Sequence, residues 1–516
     1  MIENSPRKII IVGGGTAGWM TAAALAHFLS NKNTELVLVE SEQIGTVGVG
    51  EATLPHLRFF NQTLGIDEKE FMRETHATFK LGIEFSNWGE QNQAYIHPFG
   101  DYGKPINDIS FHHFWLKYRQ DYPDSSLDDF SYGVSLAKQH RFKFPSNDLS
   151  SIESSYSYAY HVDAGLYAKY LRSYAEKKGV TRVEGIIKDC QFNQNGTISS
   201  VSLKGGQQLS ADFFIDCSGF RALLIGEALK QPFQSWKHWL PCDRAIAVPT
   251  ENRDSMPPYT KAIAHSAGWR WQIPLQHRNG NGIVFASDYF SDDEANNLLD
   301  QQLPESTDSQ RISLSFEAGT RQCHWVKNCV AIGLSSGFLE PLESTSIYLI
   351  QSAIMKLVEF MPGNNEYQLL REEFNRQMDN EIIRIRDFLI LHYHMTERND
   401  SEFWQYCKTM EIPESLQQKI DLFKQTSHIE SYQHGLFLEP SWLAVYIGQG
   451  CIPTQFNRIA DNVNRQKLQR YFSDLKATIG ASVSKQASHK KSLNEYLRNI
   501  EFKNHNKASM SLYGNY

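Results

Sequence analysis

Residues 8–18 read Lys-Ile-Ile-Ile-Val-Gly-Gly-Gly-Thr-Ala-Gly, a short β-branched run that ends in closely spaced glycines. Such a run is typical of a strand buried on both faces of a parallel sheet. Residues 16–29 are rich in Ala and Leu and predict a helix, and residues 35–40 (Glu-Leu-Val-Leu-Val-Glu) predict a second strand. Strand, helix and strand in this order predict an α/β fold of the doubly wound type.

The glycine turn fits a dinucleotide. Gly13 would make the tight turn, Gly15 would let the backbone approach a pyrophosphate, and Gly18 would let the helix pack on the strand, with the helix N-terminus facing the phosphates. Glu40 ends the second strand, 22 residues after Gly18, where an acid can accept ribose hydroxyls. The candidate cofactor-binding residues of this region are Gly13, Gly15, Thr16, Ala17, Gly18 and Glu40.

The composition excludes several classes of protein. The chain has 516 residues, of which 41% are hydrophobic and 21% charged, as in ordinary globular proteins and unlike disordered ones. Its net charge of −7 argues against a general nucleic-acid binder. The aromatic content is the unusual feature, with 10 Trp, 23 Tyr and 30 Phe, and aromatic side chains line pockets for flat ligands as well as filling cores.

Cysteine usage and apolar runs indicate the compartment. The seven Cys form no Cys-x-x-Cys pair, which fits free thiols in a reducing compartment. The N-terminus lacks an apolar core of signal-peptide length, and no run of about 18 apolar residues occurs. We therefore expect no membrane span and a cytoplasmic location.

Further elements follow along the chain. Gly205-Gly206 predicts a hairpin turn, and residues 213–216 (Phe-Phe-Ile-Asp) and 329–332 predict short buried strands. Residues 282–287 also have β character, and helix dominates from about 346 to 395. Leu493, Tyr496, Leu497 and Ile500 form an apolar stripe, which predicts a docked terminal helix rather than a partner site.

Two segments favour FAD over NAD as the dinucleotide, although neither is diagnostic alone. Residues 214–219 (Phe-Ile-Asp-Cys-Ser-Gly) resemble the small-residue motif that returns to the dinucleotide in flavoproteins. Residues 48–53 (Gly-Val-Gly-Glu-Ala-Thr) form a second glycine-rich turn that could lie against a flat ring or a phosphate. The residues of this turn that we assign to the cofactor are Gly48, Val49, Glu51 and Ala52.

A family resemblance comes from residues 268–274 (Gly-Trp-Arg-Trp-Gln-Ile-Pro), which contain Trp-x-Trp-x-Ile-Pro. This resembles the signature of the flavin-dependent tryptophan halogenases, in which the paired Trp side chains lie on the flavin side. Residues 48–55, 79–88, 160–163, 338–345 and 386–393 resemble other family segments in the family's order. The signature residues here are Trp269, Trp271, Ile273 and Pro274.

The resemblance implies an FAD-dependent monooxygenase-like flavin module with a mainly helical substrate module. We expect the flavin module at residues 1–345, with insertions of the substrate module near 100–155, and the interwoven helical module at 346–516. It also implies that a separate flavin reductase supplies reduced FAD, and that oxygen and halide give hypohalous acid. Lys80 would present the halogen, and Glu343 would orient it and accept the ring proton. Without the resemblance, these two residues would be an ordinary buried ion pair.

The same resemblance assigns further site residues. Ile187, Leu334 and Ile347 join the cofactor set, and Thr345 with Ser346 would hold the halide. The family has Gly at the position of Ser346, so the choice between chloride and bromide stays open, with a bromide preference as a hypothesis.

For the substrate, His97 and Phe99 match residues that sandwich an indole in the family, and Trp442 lies in the segment nearest to its amino-acid clamp. A tyrosine pair expected in that clamp is not evident, so simple indole or a larger indole compound is as plausible as free tryptophan.

Several alternatives remain. A flavin monooxygenase that hydroxylates an arene and a flavin-binding protein without turnover share the cofactor motifs. The pairs His112-His113 and His392/His394 lack a third ligand at metal-site spacing, so we expect no metal. A homodimer is left open.

Overall fold

The structure is a computed structural model, and it describes residues 8–29, 34–43, 50–252, 255–303, 310–361, 368–430, 435–499 and 511–513.

The strands of the described residues are, in chain order, β1 (Lys8–Val12), β2 (Glu35–Glu40), β3 (Gly50–Ala52), β4 (Thr78–Lys80), β5 (Gly82–Ser86), β6 (Ala94–Pro98), β7 (Ala159–Asp163), β8 (Thr181–Glu184), β9 (Ile187–Phe192), β10 (Ile198–Leu203), β11 (Gln208–Ser210), β12 (Phe213–Asp216), β13 (Phe233–Ser235), β14 (Arg244–Thr250), β15 (Thr260–His265), β16 (Gly268–Pro274), β17 (Asn279–Phe285), β18 (Ile312–Ser315), β19 (Gly319–Arg321), β20 (Trp325–Val326), β21 (Cys329–Ala331) and β22 (Gly337–Phe338).

The α-helices of the same residues are α1 (Thr16–Phe28), α2 (His56–Thr63), α3 (Glu68–Glu74), α4 (Phe111–Asp121), α5 (Tyr132–Lys138), α6 (Ala164–Lys177), α7 (Asp292–Gln302), α8 (Thr345–Glu359), α9 (Gln368–His394), α10 (Glu402–Thr409), α11 (Glu414–Thr426), α12 (Glu439–Gly448), α13 (Arg465–Ser484) and α14 (His489–Arg498).

The first sheet has the order β20-β21-β12-β1-β2-β8. β1 lies parallel to both β2 and β12, with Ile10 opposite Val37 on one side and Phe214 on the other. These strands are buried because helices cover them, and α1 packs on both α6 and α8. The predicted α/β opening is confirmed, as are the strands at 213–216 and 329–332 and the hairpin of β10 and β11.

A second sheet contains both the Trp motif and His97. Its order is β18-β14-β17-β16-β15-β5-β6, so the strand of the Trp motif and the strand that carries His97 belong to one sheet. A smaller sheet pairs β7 with β3 on one side and β4 on the other. Lys80, at the end of β4, lies near the end of β3, and residues 50–52 of the predicted second glycine turn form that strand.

The helical part packs directly on these sheets. The helix predicted from 346 to 395 is two helices, α8 and α9, and residues 362–367 between them lie outside the described residues. α14 packs on α3 and β4, as predicted for a docked helix, whereas Ile500 of its stripe lies outside the described residues. One apolar core includes residues of both predicted modules, and their boundary stays a prediction. Among the helices that the structure describes, none has the length and apolar character that a membrane crossing needs.

Candidate functional site

The glycine turn has the geometry that a pyrophosphate needs. Gly13 has a φ of 108°, in the left-handed region that favours glycine. A Cβ added to Gly15 would meet no atom within 4 Å, so open space lies beside the backbone at the start of α1. No side chain caps α1, which leaves the N–H groups of its first turn, including that of Ala17, available to an anion. FAD fits this end of the protein.

Glu40 lies against the same turn. A Cβ added to Gly14 would fall 1.4 Å from Glu40 Oε2, so the carboxylate covers the glycine. Arg182 Nε donates a hydrogen bond of 2.5 Å to Glu40 Oε1, and Trp19 Nε1 donates one of 3.3 Å to Oε2. The acid is therefore positioned for a ribose next to the turn, and it shares its charge with an arginine.

The other predicted cofactor residues occupy several places. Leu334 lies in the 3₁₀ turn Gly333–Ser335, where a Cβ on Gly333 would lie 2.9 Å from Ala17. Ile347 is buried in α8, next to the parallel sheet. Ile187 begins β9 and packs in a cluster with Val39. The remaining members of the set are Thr16 and Gly18 in the first turn of α1, Glu51 and Ala52 on β3, and Gly48 and Val49, which lie outside the described residues.

The Trp motif lies on β16, beside β3. Ala52 packs with Ile273 and Leu275, and the ring of Trp271 packs against this group. Thr78 of β4 donates a hydrogen bond of 2.7 Å to the carbonyl oxygen of Pro274. The structure thus brings residues 50–53 of the second glycine turn, the Trp motif and the strand of Lys80 together, although they are far apart in the chain.

Trp269 is buried and is bound to a buried acid. Its Nε1 donates a hydrogen bond of 2.8 Å to Glu340 Oε2, and the Tyr393 hydroxyl donates one of 2.6 Å to the same oxygen. Glu340 Oε1 has no hydrogen-bond partner among the described residues. Burial raises the pKa of the Glu340 carboxyl to about 7, because two neutral donors do not offset the lost hydration.

Lys80 is fully buried at the end of β4. Its Nζ donates hydrogen bonds to the Thr53 carbonyl oxygen (3.0 Å) and to Ser344 Oγ (2.8 Å), and it lies 4.8 Å from the centre of the Phe99 ring. Burial lowers the pKa of Lys80 to about 7, although Glu343 acts in the opposite direction. The amine is therefore available in both protonation states near neutral pH.

The turn that follows Glu343 connects the two predicted catalytic residues. Ser344 has φ and ψ of 61° and 33°, a left-handed conformation that is uncommon outside glycine. It separates the 3₁₀ turn Pro341–Glu343 from α8, and its hydroxyl faces Lys80. Lys80 and Glu343, both described by the structure, make no salt bridge within 4.0 Å. The ion pair that the residue types alone would suggest is therefore absent between them.

Two histidines hold Glu343. His97 Nδ1 lies 2.9 and 2.8 Å from the two carboxylate oxygens, and His392 Nε2 lies 2.7 Å from Oε1. Burial alone would raise the pKa of Glu343, but the charge and hydrogen bonds of these histidines bring it down to about 2. His392 Nδ1 lies 2.8 Å from the Phe388 carbonyl oxygen, and this contact fixes the orientation of its ring. The carboxylate is therefore ionised and fixed in place.

The start of α8 can hold an anion. Thr345 is fully buried, and its Oγ1 has no hydrogen-bond partner among the described residues. No side chain caps α8, since the hydroxyl of Ser344 is engaged by Lys80. The free N–H groups of the first turn, with half-buried Ser346 among its residues, suit a halide.

The predicted substrate residues lie around Glu343. His97 Nε2 lies 2.7 Å from Ser441 Oγ, so both ring nitrogens are engaged. Trp442, next to Ser441 on α12, is buried with its ring 5.3 Å from that of Phe388. The structure brings His97 close to Glu343 and Phe99 close to Lys80, and it places Trp442 behind Phe388.

Sequence reasoning missed four polar residues of this site: Ser344, His392, Ser441 and Tyr513. His392 was considered only as a metal ligand, although it belongs to residues 386–393, whose resemblance to a family segment gave a usable signal. Ser441 adjoins the predicted Trp442. Tyr513 lies far from every quoted motif, and nothing in the sequence pointed to it.

Comparisons with known proteins show the family to which the chain belongs. The family model described as "Tryptophan halogenase" matches residues 8–465. The tryptophan 6-halogenase SttH of Streptomyces toxytricini is 36% identical over 90% of this chain and 94% of its own length. The tryptophan 7-halogenase RebH of Lentzea aerocolonigenes is 36% identical over 81% of this chain and 82% of its own. The solved structure of BrvH, a flavin-dependent halogenase from Brevundimonas sp. BAL3, has a TM-score of 0.92 and 42% identity, and covers 96% of this chain and 99% of its own.

Proposed function

Because the chain belongs to the tryptophan halogenase family of flavin-dependent halogenases, we propose that Lys80 and Glu343 direct its electrophilic halogen to an indole held beside them. The chain is an FADH₂-dependent halogenase with an α/β flavin module, and it uses a halide and an aromatic substrate. The observation that carries the proposal is one turn: Ser344 receives the hydrogen bond of the buried Lys80 and directly follows the buried Glu343.

The glycine turn, the first turn of α1 and Glu40 would hold the dinucleotide, with the Trp strand near the flavin end. When bound there, reduced FAD would supply the oxidising chemistry that turns oxygen and halide into hypohalous acid. Thr345 and the N–H groups of α8 would hold the halide. Ser346 carries a hydroxyl where the family resemblance places Gly, so the space beside the ion differs, and a bromide preference is the hypothesis to test. Product ratios at equal chloride and bromide concentrations test this, and dominant chlorination would contradict it.

Lys80 receives the halogen in a buried place. A pKa near 7 gives a neutral amine that can be halogenated and an ammonium that can donate a hydrogen bond to the oxidant. The ring of Phe99 and the burial of the site exclude bulk water, in which hypohalous acid reacts indiscriminately.

Glu343 acts on the substrate. An ionised carboxylate stabilises the positive charge that develops on the ring as the carbon–halogen bond forms, and it can then accept the proton that the same carbon releases. His97 and His392 keep it ionised and oriented. Because the clamp for a free amino acid is not evident near Trp442, we propose indole or an indole compound without a free amino-acid group as the substrate.

The decisive experiment supplies reduced FAD from an excess of flavin reductase, with oxygen and bromide or chloride, to the protein and an indole panel. We expect halogenated product by mass spectrometry, and at least about a 100-fold loss of rate in Lys80→Ala. Lys117→Ala is the matched control, because Lys117 is also buried but donates to carbonyl oxygens of residues 460 and 463.

Three outcomes would overturn the proposal. Equal rates in Lys80→Ala and the parent would remove the catalytic role of Lys80. Hydroxylated product without halide would indicate a monooxygenase. Flavin binding without any halogenated indole would indicate a protein without turnover on this substrate class.

We also propose a cytoplasmic location and delivery of reduced flavin by a separate, transiently interacting reductase. All seven cysteines are free thiols, which supports a reducing compartment. Light scattering of the purified protein tests the homodimer, and a monomer mass at working concentration would exclude it.

A further inference from the structure

The C-terminal residues Ser511–Tyr513 reach the interior of the protein. Leu512 and Tyr513 are 1% and 3% exposed, although they are close to the end of the chain. The Tyr513 hydroxyl oxygen accepts a hydrogen bond of 2.7 Å from the Leu438 N–H and lies 2.6 Å from Ser441 Oγ. A tyrosine of the C-terminal segment therefore touches the serine that holds His97.

These contacts continue to the catalytic carboxylate. Ser441 Oγ lies 2.7 Å from His97 Nε2, and His97 Nδ1 lies within 2.9 Å of both oxygens of Glu343. All four side chains are buried. A row of hydrogen bonds thus runs from the C-terminal segment to Glu343.

One end of the row has a fixed direction. A backbone N–H can only donate, so the Tyr513 oxygen accepts from the Leu438 N–H, and its own proton can point to Ser441 Oγ. The Ser441 hydroxyl shares one hydrogen bond with Tyr513 and one with His97 Nε2, so Tyr513 limits where that hydroxyl can lie. Because His97 Nδ1 faces both oxygens of Glu343, the position of the ring fixes the position of the carboxylate.

We propose that Tyr513 is a positioning residue, which acts through Ser441 to hold the ring of His97 in place and so orients Glu343 for halogenation. This inference rests on the proposed role of Glu343. Tyr513 touches neither the substrate nor the reacting atoms in this proposal, and its effect lies in the turnover step rather than in substrate binding.

The first test compares the variants Tyr513→Phe and Ser441→Ala in single and combined form. Each removes one hydroxyl of the row, so we expect kcat to fall about 10-fold in each, with KM within about twofold. The double variant should fall no further than the single ones, because either change breaks the same row. Additive losses would overturn the proposal.

A matched control is Tyr132→Phe. The Tyr132 hydroxyl also pairs with a serine, Ser482, at 3.1 Å, but at the contact of α5 and α13. We expect kcat of this variant to equal that of the parent. An equal kcat in Tyr513→Phe and Tyr132→Phe would overturn the proposal, and Glu343→Gln, run in parallel, reports separately on the proposed function. Retained activity in Glu343→Gln would mean that the proposed function itself has failed.

The second test does not depend on turnover. Imidazole ¹⁵N shifts of the labelled parent, with His97 assigned by the signals that are lost in His97→Gln, report the hydrogen bonds at both ring nitrogens. We expect the His97 shifts to change in Tyr513→Phe and to keep their parent values in Tyr132→Phe. Unchanged His97 shifts in Tyr513→Phe would overturn the proposal.

Discussion

Glu340 and Glu343 lie three residues apart and are both fully buried, yet their carboxyl pKa values are shifted in opposite directions, to about 7 and about 2. Glu340 receives hydrogen bonds from the indole of Trp269 and the phenol of Tyr393, which are neutral. Glu343 faces two histidines, one of which has acceptors at both nitrogens.

Burial alone therefore does not determine the charge of a carboxylate, because its hydrogen-bonding and charged partners can outweigh the lost hydration. The opposite shifts also separate the roles. The ionised acid lies at the proposed reaction centre near Lys80, and the acid that is largely neutral below pH 7 binds the Trp motif through Trp269.

The strongest test of the different roles of Glu340 and Glu343 is to replace each acid with a neutral amide. Glu343→Gln removes the charge that we propose to stabilise the reacting ring, so we expect the halogenation rate to fall by about 1,000-fold. Glu340→Gln replaces an acid that is partly neutral at pH 7 with an amide of the same shape, and we expect a rate within about threefold of the parent. Initial rates of bromoindole formation measure both, and equal losses would contradict the division of roles.

The pH dependence of stability gives the next largest effect. The pKa of Glu340 is raised in the folded protein, so its contribution is fully present below about pH 4.5 and is lost as the pH rises through 7. The loss is about 3 kcal/mol. The melting temperature of Glu340→Gln should therefore rise relative to that of the parent between pH 5 and 8.

Glu343 predicts the opposite trend. Its pKa is depressed, so its contribution is present above about pH 4.5 and is lost as the pH falls toward 2. The melting temperature of Glu343→Gln should therefore rise relative to that of the parent as the pH falls from 6 to 3.5. Parallel melting curves for parent and variants at every pH would contradict both shifts.

The fold and much of the site could be predicted from the sequence, because β1, α1 and β2 follow from local patterns and the motifs occur in family order. The contacts could not be. His97 meets Ser441 across 344 positions, and the distance between such residues is a property of the folded sheet and α12. Likewise, Glu340 carries no sign of its raised pKa, which comes from partners on β16 and α9.

The pH dependence of kcat/KM also involves the buried amine of Lys80. Lys80, Glu340 and the predicted cofactor residue Glu51 all have pKa values of about 7, so a rate that rises about 10-fold from pH 6 to 8 could come from any of them. We expect kcat/KM to rise with the neutral amine of Lys80 and the rise to persist in Glu340→Gln. Measurement with excess reductase keeps the supply of reduced flavin from limiting the rate. Loss of the rise in Glu340→Gln would assign the titration to Glu340 and contradict its assignment to Lys80.

The smallest effect concerns the hydrogen bond that ties the Trp motif to Glu340. Trp269→Phe keeps an aromatic ring on β16 but removes the N–H that donates to Oε2, whereas Trp236→Phe removes a buried N–H that has no partner among the described residues. Both variants lose similar volume, so the difference between them isolates the hydrogen bond at about 1 kcal/mol. Melting at pH 7.5, where more of Glu340 is ionised than at pH 5.5, should enlarge the difference, because an ionised acceptor binds the N–H more strongly. A difference that is the same at both pH values would mean that the titration of Glu340 does not reach Trp269.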